Sequence, residues 1–139
     1  MGRQIDYALS LEGSLKLKEI SYIHSEAYQA GELKHGTISL IEENTPVFGI
    51  VTDDNIMDKT ISNLKEVAAR GAKIITIIND DMETKVDFAN QKIIIPKIHE
   101  LLQPIISVIP LQIIAYETAK LRGCDIDKPK NLAKSVTVE

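Results

Sequence analysis

Cysteine is almost absent from this chain of 139 residues, and strongly basic segments are missing. Because Cys124 is the single cysteine, no disulfide can form within the chain, which fits a reducing compartment and predicts a cytoplasmic protein. Twenty acidic residues against sixteen basic ones give a net charge of −4. Without a basic block, the sequence gives no support to a nucleic-acid partner.

Long uninterrupted apolar runs and targeting signals are also lacking. The N-terminus has no charged segment followed by an apolar one, so no secretion signal is predicted. The most apolar segment, residues 101–116, reads LLQPIISVIPLQIIAY and is shorter than the roughly 20 residues of a spanning helix. Two prolines and two glutamines interrupt it, so it is predicted to be a buried helix and no membrane partner is expected.

What remains is a globular composition, with 44% hydrophobic and 26% charged residues, arranged as one α/β domain. Short β-branched runs at 46–51, 73–78 and 92–96 are nearly unalternated, as in strands buried on both faces. Helices are predicted at about 10–30, 55–70 and 100–122, with a polar loop at 79–91. This order predicts a three-layer αβα sandwich with a parallel sheet. Because the predicted sheet has only three strands, we expect its first strand to lie ahead of Met1, outside this chain.

Carboxylates recur along the first predicted helix. Glu12, Glu19 and Glu26 are seven residues apart and fall within roughly 40° of one another, with Lys16 beside them. Apolar positions flank this stripe on both sides. The pattern fits a half-buried helix that faces a polar cleft, and it also fits a solvated line with a Glu12–Lys16 pair. The spacing alone leaves both interpretations open.

Two further side chains are candidates for chemistry. His35 lies in a loop between Gly31 and Gly36, where it is either an acid–base group or a loop residue without a role. Lys134 lies in a polar C-terminal tail and acts as a nucleophile only if its surroundings lower its pKa. No glycine-rich phosphate loop follows a strand, and the three histidines have no metal-ligand spacing, so no cofactor is predicted.

Four stretches of the sequence carry a family resemblance. The chain resembles the C-terminal end of the glucosamine-6-phosphate synthases, the glutamine–fructose-6-phosphate aminotransferases, over essentially its whole length. The resemblance implies the second sugar-isomerase (SIS) subdomain of the isomerase half at residues 1–125, followed by a catalytic tail at residues 126–139. The matching stretches are LEGSLKLKEISYI at 11–23, AGELKHG at 30–36, PLQ at 110–112 and, most specific of all, NLAKSVTVE at 131–139.

The resemblance implies a role for each candidate residue. Lys134 would form an imine with open-chain fructose 6-phosphate, and Glu19 would move a proton between C1 and C2. His35 would help to open the sugar ring from the other subunit of a homodimer. Lys16 would support Glu19, and Ala133 would contact the substrate. The implied function is part of the conversion of fructose 6-phosphate to glucosamine 6-phosphate with ammonia from glutamine.

The sequence also departs from the family. The glutaminase domain and the first SIS subdomain, which holds the sugar phosphate, are not in this chain, so the chain alone is expected to be inactive. A stand-alone SIS module that binds sugar phosphates or pairs with a partner is the alternative. A receiver-like signalling domain, favoured by Asp53 and Asp54 after a strand, leaves the terminal string unexplained.

Overall fold

A computed structural model describes residues 1–130 and residue 132 of the chain. Within this part the predicted α/β architecture is confirmed, as a parallel three-stranded sheet with helices on both faces. Short 3₁₀ turns cover Leu33–His35, Thr37–Leu40 and Asp80–Val86. The main elements are α1 (Ile5–Ser21), β1 (Pro46–Val51), α2 (Met57–Ala68), β2 (Lys73–Asn79), β3 (Gln91–Ile95) and α3 (Gln103–Leu121).

The strands run in the order β1-β2-β3, and both pairings are parallel. Val47 faces Ile74 across the first pair, and Ile77 faces Ile93 across the second. These β-branched side chains suit a pleated surface that is covered on both faces, which is why the strands read as apolar runs without alternation. The predicted strand positions agree with the observed ones to within a residue.

Two separate apolar clusters hold the layers together. Helix α2 buries Leu64 and Val67 against one face of the sheet, where they meet Ile74 and Ile78. Helices α1 and α3 cover the opposite face. Their cluster consists of Leu9, Ile50, Ile77, Ile95 and Leu111. Full burial of each large aliphatic side chain stabilises the fold by roughly 1.5–3 kcal/mol, so these two interfaces fix the three-layer arrangement.

Helix α2 approaches β1 most closely at Gly49. A Cβ atom at this position would lie 2.6 Å from Cδ1 of Leu64, well inside van der Waals contact. The glycine therefore lets a large leucine fill the space directly above the strand.

The predicted C-terminal end of the first helix, at Ala30, is wrong. The helix ends at Ser21, because Tyr22 takes the left-handed conformation (φ 57°, ψ 26°) while its N–H still donates to the carbonyl of Lys18. The hydroxyl of Ser14 then donates to the carbonyl of Ser25 at 2.7 Å and holds the returning chain against α1. Residues 22–30 contain good helix formers, but these tertiary contacts override that local preference.

The first two residues pair with neighbouring backbone on both sides. Met1 accepts the N–H of Ile50 at 2.9 Å, and its own nitrogen donates to the carbonyl of Phe48. On the other side, Gly2 accepts the N–H of Ala30 at 2.9 Å and forms a parallel bridge with Gln29. Met1 and Gly2 thus occupy a strand position beside β1. The expected first strand concerns residues outside this chain.

Two other segments differ in detail from their predictions. The segment predicted as a polar loop at 79–91 contains the 3₁₀ turn Asp80–Val86, and Met82 and Val86 are buried beneath it. The apolar segment forms α3, with Pro104 in its first turn and Pro110 inside it. The prediction that this helix is buried is wrong for its outer face, which carries exposed isoleucines because the sheet and α1 cover only its inner face. Among the described helices, none combines the length and the apolar character needed to cross a bilayer.

Candidate functional site

The outer face of α1 carries an ion-pair cluster centred on Lys16. Its ammonium lies 2.7 Å from Oε2 of Glu19 and 3.6 Å from Oε1 of Glu12. The helix sets this geometry, because residues three and four apart lie on the same side, one turn above the other. The Glu19 hydrogen bond, ahead of the attraction of Glu12, raises the pKa of Lys16. Lys16 is therefore a fixed cation that orients one oxygen of Glu19.

Glu26 does not belong to this cluster, and its predicted place in the carboxylate stripe is wrong. It lies beyond the end of α1, where its carboxylate accepts the hydroxyl of Tyr28 and pairs with Nε2 of His24 at 3.4 Å. The Tyr28 hydrogen bond, ahead of the attraction of His24, lowers the pKa of Glu26. The stripe therefore reduces to Glu12 and Glu19 around Lys16.

His35 is an exposed residue at the end of the short 3₁₀ turn Leu33–His35. Buried Leu33 anchors the turn in the core beside α2, and Gly36 follows with a φ of 153°. Across residues 1–130 and 132, no hydrogen bond or ion pair joins the side chain of His35 to Lys16 or Glu19. The loop therefore presents His35 to the surroundings rather than to the cluster on its own α1.

The beginning of the C-terminal tail contacts the end of α1. The N–H of Lys130 donates to the hydroxyl of Tyr22 at 2.7 Å, and the Lys130 ammonium lies 5.8 Å from the centre of the Tyr22 ring. Tyr22 follows Glu19 by three residues, so Lys130 is held at the same end of α1 as Glu19. Ala133 and Lys134 lie outside the described residues.

A buried carboxylate at the carboxyl edge of the sheet was not predicted. Asp6 accepts the N–H of Thr52 at 2.9 Å, its hydroxyl at 2.5 Å and the N–H of Asp53 at 3.4 Å. Asn79 donates to the carbonyl of Thr52 at 3.1 Å and completes the network. Burial is the main cause of the raised pKa of Asp6, and these hydrogen bonds oppose it. The sequence indicates this network only through the polar residues that directly follow the apolar runs at 46–51 and 73–78.

A second polar network lies on the surface of the same edge. Lys97, after β3, contacts Asp54 at 2.5 Å and Asp81 at 2.6 Å, which follow β1 and β2. Both carboxylates raise the pKa of Lys97. The network ties three loops together. Within the part of the chain that the structure describes, no group of three or more histidine, cysteine or acidic residues is arranged to hold a metal ion.

An apolar cavity of about 470 Å³ lies between α1, the segment after it and β1. Ser14, Leu17, Glu26, Phe48 and Leu111 line it. Neither Lys16 nor Glu19 reaches this lining, so the cavity and the ion-pair cluster are separate features of α1.

Comparison with known proteins assigns this chain to a family. Residues 1–122 match the model of the SIS domain, and the chain belongs to the SIS domain family. The whole chain is 57% identical to the glutamine–fructose-6-phosphate aminotransferase (isomerizing) of Clostridium tetani, and 53% identical to that of Thermus thermophilus. It spans 23% of the length of each of these relatives and matches their C-terminal part.

Solved structures give the same result. The C-terminal domain of glucosamine-fructose-6-phosphate aminotransferase from Francisella tularensis superposes with a TM-score of 0.87 at 44% identity, over 91% of this chain and 36% of that one. A glucosamine-6-phosphate deaminase from Thermotoga maritima matches with a TM-score of 0.71 at 28% identity, over 95% of this chain and 37% of that one. The predicted family and fold are confirmed, whereas the roles of the site residues stay predictions.

Proposed function

We propose that this chain is the C-terminal, sugar-isomerase part of an enzyme that converts fructose 6-phosphate to glucosamine 6-phosphate with ammonia from glutamine. The observation that carries the proposal is the Lys16–Glu19 pair, held at 2.7 Å near the end of α1 that Lys130 contacts through Tyr22. The similarity of the whole chain to aminotransferases of this name supports it. The cytoplasm is the proposed location, since the relatives are metabolic enzymes and the single cysteine suits a reducing compartment.

The proposed chemistry divides between a nucleophile and a base. The amine of Lys134 adds to the C2 carbonyl of the open-chain ketose, and water leaves as the imine forms. Ammonia then takes the place of Lys134 at C2. Glu19 removes a proton from C1 and returns it to C2, and the proton of the C1 hydroxyl passes to the imine nitrogen, which leaves the aldehyde at C1 and the amino group at C2. Lys16 contributes by fixing the direction in which Glu19 presents its oxygen.

His35 is proposed to act in a partner subunit. Its exposure and its position on a short turn anchored by Leu33 suit a side chain that reaches across an interface. A histidine exchanges protons near neutral pH, as ring opening of a cyclic sugar requires. A homodimer would then supply each site with His35 from the other chain.

The proposed division of the chain is a SIS subdomain at 1–125 and a catalytic tail at 126–139, in which Ala133 contacts the substrate. The end of α3 at Leu121 and the family match over residues 1–122 support this boundary. The reaction as written needs no metal or organic cofactor, because the lysine amine and the carboxylate supply its chemistry.

Two substitutions in the full-length polypeptide test the proposal. Glu19→Gln and Lys134→Ala are each expected to abolish formation of glucosamine 6-phosphate while hydrolysis of glutamine continues. Glu117→Gln on α3 and Lys59→Ala on α2 are matched controls, since both residues are exposed and lie on helices other than α1. Turnover near the normal rate in either test variant would refute the assignment.

A non-catalytic SIS module remains the alternative function. The sequence feature that favours it is that no glycine-rich phosphate loop follows a strand of this chain. Such a module would bind fructose 6-phosphate without turnover, and Lys134→Ala would leave its affinity unchanged. Calorimetric titration of fructose 6-phosphate into the wild type and into Lys134→Ala compares the two affinities and distinguishes the two functions.

A further inference from the structure

Tyr22 has an unusual backbone for its residue type. It ends α1 in the left-handed conformation (φ 57°, ψ 26°), where glycine is the common residue because it has no Cβ to collide with the backbone. A tyrosine in this conformation carries a steric cost that persists only when its surroundings impose it. The contacts of the tyrosine side chain must therefore offset the cost of this backbone conformation.

The side chain makes two contacts with a single distant residue. Its hydroxyl accepts the N–H of Lys130 at 2.7 Å, and its ring lies 5.8 Å from the Lys130 ammonium. The first contact fixes the backbone of the tail, and the second is a cation–π attraction to the side chain of the same residue. One hundred and eight positions separate the two residues in sequence, so the contact is a tertiary anchor.

We propose that Tyr22 is a positioning residue, which fixes the chain at Lys130 and thereby holds Lys134 within reach of Glu19. This inference rests on the proposed function. Lys134 follows Lys130 by four positions, and four extended residues span at most about 14 Å. Glu19 and Tyr22 are three residues apart on the same helix end, about 4.5 Å along its axis. Anchoring Lys130 at Tyr22 thus sets an upper limit on the distance between Lys134 and the end of α1 that carries Glu19.

Anchoring and a purely structural role predict different effects of replacing Tyr22. If Tyr22 served only to end α1, glycine would serve as well, and removing the side chain would leave catalysis intact. If Tyr22 anchors the tail, Tyr22→Gly releases the steric cost at the helix end but frees Lys130. The thermal midpoint then stays within about 2 °C or rises, while the reaction of Lys134 slows.

The test uses the full-length polypeptide with Tyr22→Gly, Tyr22→Phe and a control, Tyr116→Phe. Tyr116 is similarly exposed and also carries a lysine over its ring, but it lies on α3. For Tyr22→Gly we expect kcat of isomerisation to fall about tenfold, with KM within about twofold. Tyr22→Phe keeps the ring contact and loses the hydrogen bond, so about a threefold fall is expected. The control is expected to retain full activity.

A second readout reports the anchor without reference to catalysis. Trypsin cleaves after Lys130, whereas Lys128 is protected by Pro129, so the rate of cleavage after Lys130 measures release of the tail. We expect Tyr22→Gly to accelerate this cleavage about tenfold and Tyr116→Phe to leave it unchanged.

Unchanged cleavage and unchanged kcat in Tyr22→Gly would overturn the inference, even if Lys134→Ala is inactive and the proposed function stands. A fall in kcat that accompanies a lowered thermal midpoint and a raised KM, without faster cleavage, would also overturn it. If Lys134→Ala retains turnover, the proposed function fails, and the cleavage rates alone decide whether Tyr22 holds the tail.

Discussion

The carboxylate of Asp6 accepts both the backbone N–H and the hydroxyl of Thr52, at 2.9 and 2.5 Å, although 46 positions separate the two residues in sequence. The contact joins the first turn of α1 to the carboxyl end of β1. Ligands of open parallel α/β sheets bind at this edge. Asp6 therefore fixes the beginning of α1 at this edge, and the Lys16–Glu19 pair lies about 20 Å further along the same helix, near its other end.

Burial of Asp6 predicts a specific pH dependence of stability. Its pKa is raised in the folded chain, so the folded state binds the proton more tightly than the unfolded state does. The contribution of Asp6 is therefore most favourable below its unfolded pKa of about 3.9 and is lost as the pH rises through the folded pKa. We expect the stability difference between wild type and Asp6→Asn to favour wild type more at pH 4 than at pH 7.

Urea denaturation of both chains at the two pH values measures this difference. Asp58→Asn, at an exposed position in the first turn of α2, is the control and is expected to give no comparable change. A difference for Asp6→Asn that is constant, or that grows in favour of wild type with pH, would show that burial does not govern this carboxyl group.

The close approach at Gly49 predicts a coupled pair of substitutions. Gly49→Ala places a Cβ atom 2.6 Å from the Leu64 side chain and is expected to lower the free energy of unfolding by about 1–3 kcal/mol. Leu64→Ala removes a fully buried side chain and is expected to cost about 2–5 kcal/mol. In the double variant the new methyl group enters the vacated space, so the loss is smaller than the sum. Strict additivity in denaturant unfolding would contradict the proposed contact.

Lys16 and Lys120 offer a matched comparison of two ion pairs. Lys16 contacts Glu19, and Lys120 contacts Glu117 at 3.2 Å, each pair three residues apart on a helix. The Lys16 pair is half-buried and the Lys120 pair is exposed, and helix-surface pairs of this kind contribute at most about 1 kcal/mol, so Lys16→Met and Lys120→Met are both expected to have small effects on the thermal midpoint.

The two substitutions should differ in catalysis. In the full-length polypeptide, Lys16→Met is expected to lower kcat of isomerisation about 10–100-fold, because Glu19 loses the partner that orients it. Lys120→Met is expected to leave kcat unchanged. Equal kcat in the two variants, measured by formation of glucosamine 6-phosphate, would remove Lys16 from the proposed site.

The outer face of α3 predicts self-association of the 139-residue chain. Ile105, Ile109 and Ile113 are 62%, 46% and 54% exposed and form one stripe, on a helix that is also apolar on its inner face. A helix that is apolar all round is normally covered on all sides, so a second copy is expected to cover this stripe at micromolar concentration. Replacing the three isoleucines by lysine should give a monomer in light scattering. A wild-type chain that is already a monodisperse monomer would contradict this expectation.

The sequence predicted the sheet better than it predicted the site. Strands such as Pro46–Val51 are short apolar runs rich in β-branched residues, which favour a strand over a helix. The position of each strand could therefore be predicted from the sequence of the run itself. Helical spacing predicted an ion pair between Glu12 and Lys16, and in the structure Lys16 lies closer to Glu19, at 2.7 Å against 3.6 Å.

The errors occurred where distant residues decide the conformation. Residues 22–30 have a helical composition, and neither the hydrogen bond from Ser14 to Ser25 nor the left-handed backbone of Tyr22 has a local signal. The displacement of Glu26 followed from the same error. The Tyr22–Lys130 contact links positions 108 residues apart, which periodicity does not detect.

Chemical trapping of the proposed imine is the most direct test that Lys134 is the nucleophile. The full-length polypeptide is incubated with fructose 6-phosphate and borohydride, which reduces a lysine imine to a stable amine, and its tryptic peptides are weighed. We expect a sugar adduct on the peptide 131–139, left uncleaved at the modified Lys134, and no adduct in Lys134→Ala. An adduct on another lysine, or none in an enzyme that turns over, would contradict it.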